Sequence, residues 1–428
     1  MIPAESWTRP APFDGTAESL AEHARAIDAM VRTGERLWLG PFEPPAESDV
    51  ADAALVVPTS GSTGAAKAVV LTHEAIRASH DATAEHLGGH GLWLPMLPPT
   101  HIAGIQVVAR AARAADVLGH ELPLVGPRLP ALGAHFDADG FAAAARAAIA
   151  ESERLGVPAF ASLVPTQLAR LIDDPTSAGV DAIDVLARFA AVLVGGAATP
   201  AVLLERARSR GIAITTTYGS SETAGGCVYD GRPLRGVQLA VEPTGEDHDE
   251  GVLLLGTPTA ALGRLDPDGT LDRSMLEHAD GRTWLRTTDL ARVEEDQRGP
   301  RLIVLGRADD VIITGGLKAV PQEIEQRMLA DPALAALVSD AVVVGVPDDA
   351  WGEIVTALVV PTELARRTTT AASLADLTRA TLRDAGLPRH AVPKTIHVVP
   401  AVHHRGIGKI DRSAARRDAI ALTAARPR

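Results

Sequence analysis

The stretch Thr59-Ser60-Gly61-Ser62-Thr63-Gly64-Ala65-Ala66-Lys67 combines glycines, hydroxyls and a terminal lysine. Small residues let backbone N–H groups converge on phosphate oxygens, the hydroxyls add donors, and Lys67 supplies a compact positive charge. The chemistry this suits is the gripping of a polyphosphate. It is not a Walker A sequence: the spacing differs, and Lys67 is not followed by a hydroxyl residue. A flexible Gly/Ser turn is the plain alternative. Cys227, the single cysteine, has no His/Asn partner spacing and reads as a small buried hydrophobe. His403 and His404 are adjacent, and neighbouring side chains on an extended strand point to opposite faces, which argues against joint ligation of one metal.

The elements that must position these groups follow an α/β rhythm. A β-branched run at 54–60 precedes a helical stretch at 72–87, another at 190–196 precedes one at 200–210, and 157–172 reads as strand, proline turn and helix. That alternation predicts a substantially parallel sheet. From Gly251 the texture turns to short strands broken by Gly, Pro and Asp, which suits hairpins and a β-rich subdomain. After Asp309, strand and helix patterns alternate through to a final strand at 394–400, as a small α+β unit. The expected division is a large N-terminal domain, 1–307, and a small mobile C-terminal domain, 308–428.

The loop at 59–67 resembles the signature of the adenylate-forming superfamily of acyl-CoA synthetases, peptide-synthetase adenylation domains and luciferases. The resemblance continues in order: Gly195-Gly196-Ala197, Tyr218-Gly219-Ser220-Ser221-Glu222-Thr223, Thr288-Asp289, Gly306-Arg307-Ala308-Asp309-Asp310, Gly315-Gly316 and Gly408-Lys409-Ile410-Asp411-Arg412. It spans residues 54 to 412, nearly the whole chain. It implies that ATP, Mg²⁺ and coenzyme A are used. Tyr218 and Gly219 pack on adenine beside Gly195, Gly196 and Ala197, Thr223 meets the α-phosphate, Glu222 holds magnesium, and Asp289 and Arg307 meet the ribose. Lys409 is the adenylation lysine, Asp309 the hinge, and Gly315 and Gly316 line the thiol tunnel. One departure stands out, because Thr287-Thr288-Asp289 lacks the family's glycine between Thr and Asp.

Such chemistry needs charge neutralisation more than acid–base catalysis. A carboxylate approaching the α-phosphate brings two anions together, and magnesium and Lys409 offset that repulsion. Taken singly, each residue has an ordinary alternative: Glu222 a carboxylate at a helix N-terminus, Tyr218 core, Asp289 a turn residue, Asp309-Asp310 a solvated loop, Lys409 a surface lysine. Their joint order favours the functional reading.

Three further stretches, at 97–104, 162–168 and 313–317, look like the o-succinylbenzoate–CoA ligases of menaquinone biosynthesis. That resemblance implies an aromatic dicarboxylic acid as substrate. His101 would be the gate between acyl and pantetheine paths, or a core histidine. Arg110 would meet the benzoate, or sit on an outer helix face. Thr166 and Gln167 would line the acyl pocket, or cap a helix. Another aryl or medium-chain acid–CoA ligase, a stand-alone enzyme loading a carrier protein, and a non-catalytic nucleotide sensor are the competing functions.

Composition narrows the partners. The 428 residues are 46% hydrophobic, enough for a large core, and carry a formal net charge of -13, which argues against a nucleic-acid-binding surface. No run approaches the ~20 apolar residues of a membrane span. A cytoplasmic enzyme is expected, and a homodimer is allowed without being required.

Overall fold

The computed structural model describes residues 6–44, 50, 52–59, 67–119, 136–244, 249–405 and 409–425, without the side chains of Arg405 and Lys409. Among these residues the strands form four sheets of five or six strands and one two-stranded pair.

The central sheet begins with Leu92–Leu94, Ala159–Leu163, Ala191–Val194 and Ile214–Ser220, all parallel, and ends with antiparallel Gly225–Tyr229 and Arg232–Pro233. Parallel neighbours need crossover connections, and helices such as Ala138–Leu155, Pro165–Asp173 and Ala201–Ser209 supply them. Both faces are therefore covered along Leu92–Leu94, Ala159–Leu163 and Ala191–Val194, which is why these strands are almost wholly buried, whereas Ile214–Ser220 is polar and only partly buried. Leu92 and Leu94 pack with Phe141, Ala145 and Ile149, whereas Trp93 and Phe160 pack with Val107 and Ala111 in a second cluster. Fully burying each Leu or Phe contributes roughly 1.5–3 kcal/mol. The alanines of Ala138–Leu155 let that helix lie close to the sheet, and Asp137 caps its start through Gly140 N at 2.7 Å.

A second sheet orders Leu37–Trp38, Ala53–Pro58, Ala68–Thr72, Gly263–Leu265 and Leu271–Asp272. Here the structure adds to the sequence pattern. The glycine and hydroxyl loop does not feed a helix directly; it joins the antiparallel strands Ala53–Pro58 and Ala68–Thr72, and the helix His73–His86 follows the second. The region after Gly251 is β-rich as expected, dominated by the long hairpin of Arg282–Asp296 and Gly299–Arg307.

The single turn Ala308–Asp310 then leads to strands of another sheet: Leu317–Ala319, Ile312–Thr314, Gly352–Pro361 and Val338–Asp348, with Thr395–Val398 beside Gly352–Pro361. Val343, Val355, Ala357 and Val359 pack under the helices Pro321–Ala330 and Ala371–Asp384 in a core of their own. No helix among the described residues is long and apolar enough to cross a membrane.

Candidate active site

Ligands of open α/β sheets gather beyond the carboxyl ends of the parallel strands. Tyr218 stands there, half-buried on Ile214–Ser220, and its phenol donates a 2.6 Å hydrogen bond to Asp289 Oδ2. Burial, and then the charge of Asp289, push the phenol well above its ordinary value, so it stays a donor at neutral pH. Asp289 lies opposite Arg307 in the hairpin register. The glycine missing before Asp289 is made good by a side chain: Thr287 Oγ1 accepts the Asp289 N–H at 3.1 Å and donates to Leu253 O at 2.9 Å. Gly195 follows the strand Ala191–Val194 so closely against its neighbour that a Cβ would fall 2.1 Å from Thr217 Oγ1. Only glycine fits, and exposed Gly196 and Ala197 continue along the same edge.

Glu222 is buried in the single turn Ser221–Thr223. Arg264 Nε and Nη2 both donate to its Oε1, at 2.9 and 2.7 Å. Burial works against the charge, but Arg264 outweighs it and holds the carboxyl below its ordinary value. Arg264 comes from Gly263–Leu265, which pairs with Ala68–Thr72, so the ion pair sits beside the strand leaving the phosphate loop. At the mouth of that loop Thr59 N donates to Lys67 O at 3.2 Å, and Lys67 Nζ meets Asp266 Oδ1 at 3.2 Å. Ser60, Gly61, Ser62, Thr63 and Gly64 lie outside the described residues.

No group of three or more His, Cys, Asp or Glu side chains that could hold an ion occurs among the described residues. Magnesium carried mainly by phosphate oxygens and water needs only one or two carboxylates. Glu222 fits that demand, because it is ionised and Arg264 engages one of its two oxygens.

Thr223 does not fit the role expected of it. It is 1% exposed; its Oγ1 accepts from Ser220 N at 2.8 Å and donates to Gly225 O at 2.7 Å. The hydroxyl directly before Glu222 belongs to Ser221, which is half-buried. The following Ala224 is held at φ 48°, with its carbonyl accepting from Ser79 Oγ at 3.0 Å and from Gln106 Nε2.

Arg110 lies on the helix Ile102–Leu118, which is buried on most of its circumference. The arginine is 6% exposed, so the outer-face alternative is excluded. Its Nη2 donates to Tyr229 Oη at 3.3 Å, its guanidinium stands 5.1 Å from the Trp93 ring centre, and its Nε is buried with no hydrogen-bond partner. With His80, Thr83, Ala84, Gly89, His90 and Trp93 it lines a small cavity with room for about one water molecule. Burial, and then the charge of Arg110, lower His80 to about 3, so the imidazole is neutral and bonds to Gln106 Oε1 at 2.6 Å. His101 is exposed at the start of the same helix, which excludes the core-histidine alternative.

Gln167 is a cap: its Oε1 accepts Val164 N and its Nε2 donates to Met96 O, both at 3.0 Å. Thr166 is exposed, and neither residue lines the cavity at Arg110.

Beyond the hairpin, Arg307 Nη2 reaches Asp309 Oδ2 at 3.3 Å. Arg412 joins three elements: its Nε donates to Asp310 Oδ2 at 2.9 Å, its Nη2 to Glu325 Oε2 at 3.0 Å and its Nη1 to Val343 O at 2.9 Å. Lys409 lies opposite Arg405 in the pair His404–Arg405 and Lys409–Ile410. Two groups are plainly structural. Burial lifts the Cys227 thiol to about 12, and His403 and His404 meet different carboxylates, Asp418 at 2.9 Å and Asp340 at 3.4 Å.

Comparison with known proteins settles the family. A family model described as AMP-binding enzyme matches residues 5–117, and one described as AMP-binding enzyme C-terminal domain matches residues 323–409. A probable 2-succinylbenzoate–CoA ligase of Mycobacterium tuberculosis is 38% identical over 364 residues, 85% of this chain and 84% of that protein. The chain belongs to the AMP-binding enzymes. A 2-succinylbenzoate–CoA ligase of Bacillus anthracis is 28% identical over 73% of this chain and 61% of its own length. The o-succinylbenzoate CoA synthetase of Bacillus subtilis, solved with its acyl-adenylate intermediate, shares the fold at TM-score 0.61, 24% identity, and coverage of 88% of this chain and 71% of that one. Like its family, this AMP-binding enzyme is an ATP-dependent, AMP-forming ligase.

Within this AMP-binding enzyme the structure gathers Tyr218, Asp289 and Arg307 on one side and Glu222 with the Lys67 end of the loop on another. Sequence reasoning missed Arg264, Asp266 and His80. Arg264 and Asp266 sit in a turn-rich segment with no periodic signal, and His80 occupies an ordinary helix position.

Proposed function

We propose that this enzyme joins o-succinylbenzoate to coenzyme A in two half-reactions. In the first, the succinyl carboxylate attacks the α-phosphorus of ATP; the bond to the β-phosphate oxygen breaks, leaving acyl-AMP and pyrophosphate. In the second, the CoA sulfur attacks the acyl carbon, the thiol proton is lost and AMP leaves.

The nucleotide is oriented by Tyr218, Gly195, Gly196, Ala197 and Gly219 at the adenine and by Asp289 and Arg307 at the ribose. The loop from Thr59 to Lys67 grips the phosphates, and Ser221 takes the α-phosphate contact that buried Thr223 cannot make. Magnesium, when bound, neutralises phosphate charge, with Glu222 as the protein carboxylate. Lys409 offsets the repulsion between carboxylate and α-phosphate in the first half-reaction. The chain acts as two bodies, 1–307 and 308–428, and the smaller turns about Asp309 to withdraw Lys409 and bring Gly315 and Gly316 to the thiol path. His101 stands between acyl and thiol paths. A cytoplasmic location belongs to the same reading.

The observation that carries the choice of acid is Arg110. A buried guanidinium with an orphaned Nε and no carboxylate partner among the described residues lacks a counter-charge. Burying an unpaired charge is costly unless a ligand supplies the anion. A benzoate carboxylate entering beside Trp93 and neutral His80 does so, and the identity to the mycobacterial relative supports the same acid.

The test is to incubate the protein with ATP, Mg²⁺ and CoA and offer o-succinylbenzoate beside its analogue without the ring carboxylate. The CoA ester of the dicarboxylic acid, detected by mass, is the expected product. Equal turnover of the analogue would remove Arg110 from its role. Thioester appearing only on a carrier protein would replace CoA as acceptor.

A further inference from the structure

The turn that carries Glu222 runs into a residue in an unusual backbone state. Ala224 sits at φ 48°, in the left-handed region that a residue with a side chain keeps only where its surroundings hold it there. It is wholly buried, so its carbonyl must find its partners within the protein. Two side chains from different helices supply them. Ser79 Oγ of His73–His86 donates at 3.0 Å, and Gln106 Nε2 of Ile102–Leu118 donates as well. These partners lie 145 and 118 residues away along the chain.

The amide of Gln106 is oriented by its other end. An amide oxygen only accepts, so the 2.6 Å contact with neutral His80 is a donation from His80 Nε2–H to Gln106 Oε1. That turns the NH₂ toward Ala224 O. A Cβ on Gly225 would fall 3.2 Å from Gln106 Cγ, so the same side chain packs against the residue after Ala224. The helix is seated firmly at its first turn, where a Cβ on Gly104 would fall 2.0 Å from Pro98 O and only glycine permits the approach. On the far side of the turn, Ala261 N donates to Glu222 O at 2.8 Å and Arg264 holds the carboxylate. Glu222 is therefore fixed from 261–264 on one side and, through Ala224, from Gln106 on the other.

We infer that Gln106 is a positioning residue for the adenylation step: by holding the carbonyl of Ala224 it keeps the turn Ser221–Thr223 in place, so that the Glu222 carboxylate already stands where magnesium meets it. Gln106 acts through the backbone and touches neither nucleotide nor metal. A preorganised carboxylate needs no rearrangement when magnesium and ATP arrive, whereas a turn released at Ala224 must be reordered on binding, and metal affinity falls accordingly. The inference rests on the proposed role of Glu222 as the magnesium carboxylate.

The test compares wild type with Gln106→Met, Ser79→Ala and Glu222→Gln, titrating magnesium while pyrophosphate exchange into ATP is followed with o-succinylbenzoate as the acid. Gln106→Met keeps the length of the side chain and removes its donor. It raises the magnesium concentration for half-maximal exchange by about tenfold, and saturating magnesium restores most of the wild-type rate. Calorimetry without the acid shows magnesium–ATP binding weakened by a similar factor, while ATP in EDTA keeps its affinity. KM for o-succinylbenzoate stays within about twofold of its starting value. Ser79→Ala, which removes the other donor to the same carbonyl, shifts the magnesium dependence the same way by less, and it decides the matter if Gln106→Met does not fold. An unchanged magnesium dependence overturns the inference. So does a loss that magnesium does not restore, or an equal weakening of ATP in EDTA, since either marks general damage to the helix. Glu222→Gln separates this inference from the reading beneath it: an unchanged magnesium dependence there removes Glu222 from the metal, and this inference with it, whereas a shift there without one in Gln106→Met removes Gln106 alone.

Discussion

The two sides of the molecule treat positive charge differently. Beside the glycine-rich loop the described cations Lys67 and Arg264 are paired, Lys67 with Asp266 at 3.2 Å and Arg264 with Glu222 at 2.7 Å. Arg110 in its cavity meets no carboxylate among the described residues. A paired cation is stable without ligand and yields only when a stronger anion competes. An unpaired one, especially when buried, carries a cost that an anionic substrate relieves. Pairing steadies Lys67 and Arg264, and its absence at Arg110 is the basis on which that residue is proposed to meet the acid.

The largest effect that would sharpen this contrast is at Lys409. Lys409→Ala loses acyl-adenylate formation by about 100- to 1000-fold, yet still converts supplied acyl-AMP to thioester, as followed by pyrophosphate exchange and CoA-ester formation. Equal loss of both half-reactions would break the division of labour between the two sides.

Next comes a paired cation in the C-terminal region. Arg412→Met strands buried Glu325 and costs about 3–5 kcal/mol in urea unfolding, as expected when one partner of a buried pair is removed. The same change at an unpaired cation has a smaller and different outcome. Arg110→Met raises KM for the dicarboxylic acid by about tenfold, leaves KM for ATP alone and does not lower stability, because an apolar side chain replaces an uncompensated charge. Lost stability there would show that Arg110 is paired after all.

The smallest effect is in pH. Glu222 is held below its ordinary value by Arg264 against burial, so its contribution to stability is present above the unfolded carboxylate's pKa and is lost as pH falls through the lower folded value. Wild type therefore exceeds Glu222→Gln in melting temperature at neutral pH, and the gap closes on acidification. A gap independent of pH would mean that the pair contributes packing and not charge.

How much of this was readable beforehand differs by residue. Strand Ala191–Val194, helix Pro321–Ala330 and the β-rich hairpins stood out because their period and turn residues are local properties. The hairpin Ala53–Pro58 with Ala68–Thr72 did not, since antiparallel pairing depends on where the second strand returns. Thr223 was given a ligand role on its type; its burial, with the hydroxyl spent on Ser220 N and Gly225 O, emerges only in the fold. Gln167 was read as pocket or cap, and the carbonyl of Met96, 71 residues away, makes it a cap.

By itself the sequence determined the order of the motifs, the glycine-rich loop and the alternating elements, because each is written in contiguous residues. The tertiary structure alone decided the partners of the charges. Arg264 meets Glu222 across 42 residues and Arg412 meets Glu325 across 87. Arg110 faces inward on a helix too apolar for periodicity to assign it a face. Pairs within one helix, such as Arg327 with Glu323, are written in i,i+4 spacing, but pairing across such separations is a property of distance in space that no local spacing encodes.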